Sequence, residues 1–206
     1  MRLTLANAKA IKHACLKFHY AKSVPSVQYG FNVYNDDDEW CGVICYGGGA
    51  TPNIGKPFGL MQGEILELVR VALNGKQKAT SECVAASLRE LHRIDPILKM
   101  VVSYADLDQN HTGTIYQATN WIYLGKTSDR ETYYIINGIK THRRSVYAKY
   151  GRQDFGYILE NVDENAKKFI VKGKHRYIFV FDKRLRKQWL KQHQPYPKKR
   201  SEMNGE

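Results

Sequence analysis

Glu64-Ile65-Leu66-Glu67-Leu68-Val69-Arg70-Val71-Ala72-Leu73 is a mostly apolar run rich in branched side chains, and Met100-Val101-Val102-Ser103-Tyr104-Ala105 is a second. Each reads as a buried strand. Between them Thr80 or Ser81 can cap a helix from about Glu82 to Ile94, with Val84, Leu88 and Leu91 on one face and Pro96 marking its stop. A strand, a helix and a second strand at this spacing predict a right-handed crossover, which makes the two strands parallel neighbours in a mixed sheet.

Upstream, Ala10, Ile11, Ala14, Cys15 and Phe18 recur at helical spacing within residues 6–19. Val27–Tyr34 and Trp40–Tyr46 flank the acidic turn Asn35-Asp36-Asp37-Asp38-Glu39 and predict a hairpin. The Gly/Pro-rich run from Gly47 to Gly63 is longer than a simple connection needs, which marks it as a candidate substrate loop. Downstream, Thr112–Asn120 reads as a brief helix, Trp121–Leu124 as a strand, Tyr133–Ile136 as a further strand and Lys172–Asp182 as a closing strand. The expected class is therefore α/β, an α+β mixed sheet flanked by helices. A single domain is expected over residues 1–182, with a basic segment at about 138–155, and a basic tail over 183–206.

The chain has 206 residues, of which 43% are hydrophobic and 12% aromatic, so it can bury a substantial core and is not a disordered chain. Thirty-two Lys and Arg against 20 Asp and Glu leave a net charge of +12, the footprint of a protein that meets a polyanion. The start Met1-Arg2-Leu3-Thr4-Leu5 lacks the apolar core of a signal peptide, and no stretch is apolar enough for a membrane span. A soluble, cytoplasmic protein without a membrane partner is expected. Cys15, Cys41, Cys45 and Cys83 show no paired spacing and read as reduced, buried residues.

Several side chains stand out by chemistry. Asp106 ends an apolar strand, where the catalytic groups of open α/β sheets project. Arg70 lies inside an apolar strand, and a buried guanidinium calls for an anion: a substrate group, Asp106 or Glu67. From Lys140 to Arg152 cations alternate with aromatics, the strongest nucleic-acid signal in the chain. Within it His142, Arg143, Arg144, Lys149 and Arg152 are the DNA-contacting candidates.

Val102-Ser103-Tyr104-Ala105-Asp106 followed by His111-Thr112-Gly113-Thr114-Ile115-Tyr116-Gln117-Ala118-Thr119-Asn120-Trp121 resembles the signature of the Mom family of DNA-modification proteins. Phe18-His19-Tyr20, Glu67-Leu68-Val69-Arg70, His142-Arg143-Arg144-Ser145 and Lys174-His175-Arg176-Tyr177 resemble it in the same order. The resemblance implies a fold like that of the Gcn5-related N-acetyltransferases and transfer of a carbamoylmethyl group to N6 of adenine, which protects phage DNA from restriction. It also implies a site drawn from His19, Tyr20, Arg70, Asp106 and Tyr116, and double-stranded DNA with a flipped adenine as partner, in the host cytoplasm if the protein is phage-encoded. Tyr20, Tyr46 and Trp121 are available to wall a pocket for that base. The implied small-molecule donor is acetyl-CoA or a relative, whose anionic part would meet the junction Asn74–Ser81 at Lys76, Lys78 and Ser81. That junction lacks the glycines of the acetyltransferase pattern. The carbamoylmethyl product joins N6 to a saturated carbon, which ordinary acyl transfer does not do, so iron held by His19, Asp106 and His111 is a further candidate. A non-catalytic DNA-binding protein and an acetyltransferase acting on proteins or small amines remain as alternatives.

Overall fold

In the computed structural model the chain runs β1 (Arg2–Leu5), α1 (Ala8–Lys17), β2 (Tyr29–Tyr34), β3 (Trp40–Gly47), β4 (Ile65–Leu73), α2 (Thr80–Ile94), β5 (Met100–Ala105), α3 (Thr114–Gln117) and β6 (Ile122–Lys126). It continues β7 (Glu131–Ile136), β8 (Ile139–His142), α4 (Arg143–Tyr150), α5 (Phe155–Asn161), β9 (Lys167–Val171), β10 (His175–Val180) and α6 (Lys183–Leu190). Residues 1–49, 51–128 and 131–198 are described; Lys199, Arg200 and the rest of the expected tail lie outside the described residues.

The segment 1–182 contains two compact units. The first is made of Met1–Ala105, Gly113–Gly125 and the chain from Arg176 onward, and the second of Asp106–Thr112 and Lys126–His175. The basic segment 138–155 belongs to the second.

The first unit is built on a sheet of order β1-β2-β3-β4-β5-β10-β6. β1 to β4 are antiparallel neighbours, and β4 meets β5 in parallel register, as the crossover predicts. Along β3, Ile44 and Tyr46 join Val84, Leu88 and Leu91 of α2, whereas Val43 and Cys45 join Ile11, Ala14 and Cys15 of α1. Because successive strand residues face opposite sides, α1 and α2 cover opposite faces of the sheet. The short β1 was not expected; it adds to the hairpin through the register Arg2–Leu5 against Phe31–Tyr34.

Local signals fix the helix ends. The Asn7 side chain accepts the Ala10 N–H at 2.9 Å and starts α1. At α2 the expected caps are displaced by one residue or more: Ala79 occupies the cap without a side-chain bond, and Thr80 and Ser81 already lie in the helix. The Thr80 hydroxyl accepts from Gln77 Nε2 at 3.0 Å instead.

Residues 183–198, the described part of the expected basic tail, are structured. Asp182 accepts the Leu185 N–H and starts α6, whose Trp189 ring packs 5.3 Å from Phe58. The chain then runs along β6, the last strand in the sheet order. Gln194 N–H donates to the Tyr123 carbonyl at 2.9 Å, His193 Nδ1 accepts the Tyr123 N–H at 3.1 Å, and the Tyr196 hydroxyl donates to the Trp121 carbonyl at 2.6 Å. Covering an edge strand this way removes a template for unwanted pairing.

The second unit is a three-stranded antiparallel sheet, β8-β7-β9. Tyr134 and Ile136 of β7 pack on Val146 of α4 and Ile158 of α5 to form its own small core. None of the helices in the described residues is long and apolar enough to cross a membrane.

Gly113 caps α3 at φ +79°, where a Cβ would lie 2.4 Å from the Tyr177 ring. Both the backbone conformation and the space demand glycine. Gly113→Ala should therefore lower stability by about 2–4 kcal/mol, from strain and overpacking together, in urea unfolding. A change within about 0.5 kcal/mol, the range of neutral surface substitutions, would contradict this account.

Candidate active site and nucleic-acid interface

The parallel pairing of β4 with β5 covers only Ile65–Glu67 against Met100–Val102. Beyond it β4 continues to Leu73 beside β3 alone. Ser103 stands at the point of separation, its Oγ 3.1 Å from the Leu68 carbonyl and 2.8 Å from the Tyr116 hydroxyl. A serine hydroxyl has one proton and a carbonyl can only accept, so Ser103 donates to Leu68 and Tyr116 donates to Ser103. Burial pushes the Tyr116 phenol up to about 12; the Ser103 bond opposes this and the Glu67 carboxylate adds to it. Tyr116 is thus a protonated hydrogen-bond donor at neutral pH, not a base.

Between Cys45 and Tyr46 the register of β3 against β4 slips, leaving Val69 as an extra residue. Such a bulge re-aims the side chains beside it. Arg70 Nη1 donates to the Val69 carbonyl at 2.7 Å and Nη2 to Ser23 Oγ at 3.1 Å. Among the described residues Arg70 forms no ion pair with a carboxylate. Arg70 Nε is buried without an acceptor, which leaves the guanidinium with unused capacity for an anion.

His19 and Tyr20 follow α1, their rings 4.3 Å apart, with Tyr20 48% exposed. His19 Nδ1 accepts the Ala21 N–H at 3.1 Å, so the neutral ring carries its proton on Nε2. Tyr46 and Trp121, expected as pocket walls, are fully buried. Tyr46 bonds Ser87 at 2.6 Å, and both residues belong to the core under α2. Aromatic character alone does not separate a pocket wall from a core residue.

Sequence reasoning passed over two contributors. Ser103, which orients Tyr116, lacked a spacing signal; Glu67 was weighed only as an Arg70 partner. At Gly49, φ is +77° and a Cβ would come within 3.0 Å of Glu67 Oε2, so the Gly-rich loop approaches this carboxylate closely.

At the junction before α2, Lys76 is engaged by Glu39 at 3.1 Å, while Lys78 is exposed. The junction's sole glycine, Gly75, has φ +90°. The α2 N-terminus has no side-chain cap, so its first-turn N–H groups suit an anion. Lys76, by contrast, is already neutralised.

Asp106 directly follows β5 and is assigned to the second unit. Its carbonyl accepts the N–H groups of Gln109 and His111 at 3.2 and 3.0 Å, folding the chain into a tight turn. Among the described residues no group of three or more His, Cys, Asp and Glu side chains is placed to hold a metal ion, and His19, Asp106 and His111 do not make up such a set. All four cysteines are buried and unbonded, and burial pushes the Cys45 thiol up to about 12 and the Cys83 thiol up to about 11.

The basic run of the second unit forms α4. His142 caps it, Nδ1 accepting the Arg144 N–H at 2.9 Å. Val146 is buried, whereas Arg143, Arg144 and Lys149 are exposed. Arg143 Nε is steadied by Gln153 at 2.8 Å, Lys149 Nζ lies 5.0 Å from the Tyr150 ring, and the Arg152 guanidinium lies 5.3 Å from Tyr157. Arg152 also borders an open polar depression of about 480 Å³ that includes Asp154 and Glu160, so its surroundings are of mixed charge. On the sheet, Tyr133 and Phe169 stack at 6.1 Å with Lys140 Nζ 4.8 Å from the Tyr133 ring. Cross-strand pairing creates this row, which no linear pattern announces.

Together, a seven-stranded mixed sheet with flanking helices and strands that part after a short parallel pairing define an acetyltransferase-like fold. A spermidine N-acetyltransferase SpeG chimera from Vibrio cholerae and hSSAT shares this fold, with a TM-score of 0.50 at 8% identity, covering 93% of this chain and 99% of that one. The chain belongs to the Mom protein family, whose model matches residues 1–198. It is 30% identical over 190 residues to the methylcarbamoylase Mom of Escherichia phage Mu, covering 87% of this chain and 76% of that protein.

Burial also holds Tyr177 up to about 12, like Tyr116 and against an ordinary value of 10.0. A phenol whose folded value is raised contributes stability that is intact below the unfolded value and is lost as pH rises toward the folded one. Urea unfolding midpoints should therefore hold near pH 8–9 and fall progressively from about pH 10 to 12. Absorbance at the phenolate band should show these rings ionising only with unfolding; an unchanged midpoint at pH 11 would refute the assignment.

Proposed function

We propose that this protein modifies DNA, transferring a carbamoylmethyl group to N6 of adenine and so shielding phage DNA from restriction. The observation that carries this reading is membership of the Mom family over residues 1–198, with a relative named as a methylcarbamoylase. The net charge of +12 and the outward cations of α4 favour a polyanionic substrate.

The chemistry assigns tasks to the side chains. Adenine N6 is a weak nucleophile because its lone pair is delocalised into the ring, so orientation and charge stabilisation supply much of the acceleration. In a duplex that amino group is paired, and the enzyme therefore extrudes the base. Asp106 accepts or orients the N6 proton. Tyr116, protonated up to about 12, turns its one proton away from Ser103 to donate toward the leaving group of the donor. His19, with Nδ1 bonded to the Ala21 N–H, carries its ring proton on Nε2, and Tyr20 supplies an exposed ring beside it. Arg70 meets an anionic portion of substrate or donor through its unpaired Nε.

A donor of the acetyl-CoA class is consistent with the acetyltransferase-like fold. Its anionic end fits the uncapped start of α2 with Lys78 and Ser81, while Lys76 must first leave Glu39. Forming the N6–CH2 bond, with N6 losing a proton, requires a donor whose saturated carbon carries a leaving group and whose far end carries the carboxamide, so an acetyl thioester alone does not supply the transferred group. His142, Arg143, Arg144, Lys149 and Arg152 hold the DNA backbone.

Nucleosides from bacterial DNA, digested after expression of the protein, should contain a deoxyadenosine heavier by one carbamoylmethyl group in mass spectrometry. Unmodified adenine alongside well-folded protein would sink the reading. Asp106→Asn and Tyr116→Phe should each reduce the modified fraction by about 10²-fold or more with the fold intact, the scale of a lost proton-transfer group. Gln substitutions at Arg143, Arg144 and Lys149 should leave the Tyr116 environment unchanged but weaken duplex binding and flatten its salt dependence by about 0.9 per lost phosphate contact. Salt dependence equal to wild type would remove α4 from the interface.

A further inference from the structure

From Lys183 to Lys198 the chain carries six Lys and Arg residues and no Asp or Glu. Four of them, Lys183, Arg184, Lys187 and Lys191, are exposed on α6 and at its C-terminal cap. Elsewhere in the first unit four cations are paired, Arg2 with Asp38, Lys76 with Glu39, Arg93 with Glu90 and Lys99 with Glu64, whereas Lys9, Lys12, Lys17, Lys56, Lys78 and Arg89 are exposed without an ion pair among the described residues. No ion pair among the described residues involves α6.

This arrangement works against the helix that carries it. Lys183, Lys187 and Lys191 follow one another at four-residue intervals, and like charges at that spacing repel. Lys183, Arg184 and Arg186 also crowd the first turn, which has no acidic residue, where the helix dipole disfavours cations. α6 persists because Asp182 caps it, Leu185 and Trp189 pack into the cluster around Phe58, Ile178 and Val180, and Arg186 Nη2 donates to the Asn120 carbonyl at 3.0 Å. The scaffold thus holds an unneutralised cationic row in place at an electrostatic cost.

We propose that α6 is a second DNA-backbone contact, located on the acetyltransferase-like unit and separate from α4, in which Lys183, Arg184, Lys187 and Lys191 bind phosphates without reading bases. The inference rests on DNA being the substrate. Steps of four residues advance about 6 Å along a helix, and phosphates follow one another at about 3.4 Å of axial rise per strand, so neighbouring lysines of the row span about two phosphate steps. A lipid surface is the less suitable occupant. A helix that lies in a membrane interface presents a free apolar face, and the apolar face of α6 is already committed to Phe58 and its neighbours.

The test uses the full-length protein and a short fluorescent duplex, with anisotropy titrations from roughly 50 to 200 mM salt. Combined Lys183→Gln, Arg184→Gln, Lys187→Gln and Lys191→Gln should flatten the slope of log K against log salt by about 0.9 per contact, or about 3.6 if all four reach phosphates. Lys187→Gln alone should flatten it by about 0.9, and the loss should be the same on duplexes of unrelated sequence. Removing the repulsion should leave the fold at least as heat-stable as wild type, with Trp189 fluorescence unchanged. A wild-type protein with no salt-dependent duplex binding would overturn the DNA reading itself. Steep wild-type binding with the same slope in both α6 variants would overturn this inference alone, as would unchanged duplex binding accompanied by lost binding to vesicles containing anionic lipid.

Discussion

The site depends on how briefly β4 and β5 pair. Three residues of each strand lie in parallel register, after which β4 stays with β3 and a serine hydroxyl takes over the bridging. A backbone carbonyl such as that of Leu68 must find a donor when its neighbouring strand departs. Ser103 provides one, and in doing so presents its oxygen to Tyr116. One unmade strand pairing therefore accounts for an opening in the sheet and for a buried hydroxyl pair, while burial keeps the phenol protonated. The arrangement is rigid because Trp121 and Tyr177 pack against the Tyr116 ring, each 5.0 Å away.

The same economy recurs on the other face of β4. The extra residue at Val69 interrupts the ladder with β3 and brings Arg70 to Ser23, beyond α1, instead of to a carboxylate. A guanidinium in a strand whose neighbours are apolar is costly unless its donors are used. Two of its nitrogens are used within the protein and one is not. Electrostatics separates similarly along the chain: Asp36, Asp38 and Glu39 of the first hairpin take up the N-terminus, Arg2 and Lys76, while the cations after Asp182 have no carboxylates among them. Net charge says that a polyanion is met; the pairing pattern says which cations are already neutralised.

Much of the first unit was legible because periodicity and burial agree there. Met100–Ala105 is apolar on both faces, Val84, Leu88 and Leu91 repeat at helical spacing, and their order leaves little choice of connection. The second unit was far less legible. Lys167-Lys168-Phe169-Ile170-Val171 and Ile139-Lys140-Thr141-His142 are short, mixed in polarity and only half-covered, so their strand character comes from pairing with β7. α6 was hidden for a related reason: two apolar residues, Leu185 and Trp189, anchor a segment whose composition is otherwise that of a solvated tail.

By itself the sequence determined the crossover at the centre of the sheet, the basic character of the molecule, the Mom-like motifs and the residue types at the site. These depend on local periodicity, composition and order, which a linear chain displays directly. Only the tertiary structure decided that Tyr116 donates to Ser103, that Arg70 has no carboxylate partner among the described residues, that Tyr46 and Trp121 are core and that α6 holds its cations outward. Each of these is a relation between side chains distant in the chain, set by how strands register and which surfaces are buried, and no spacing rule encodes it.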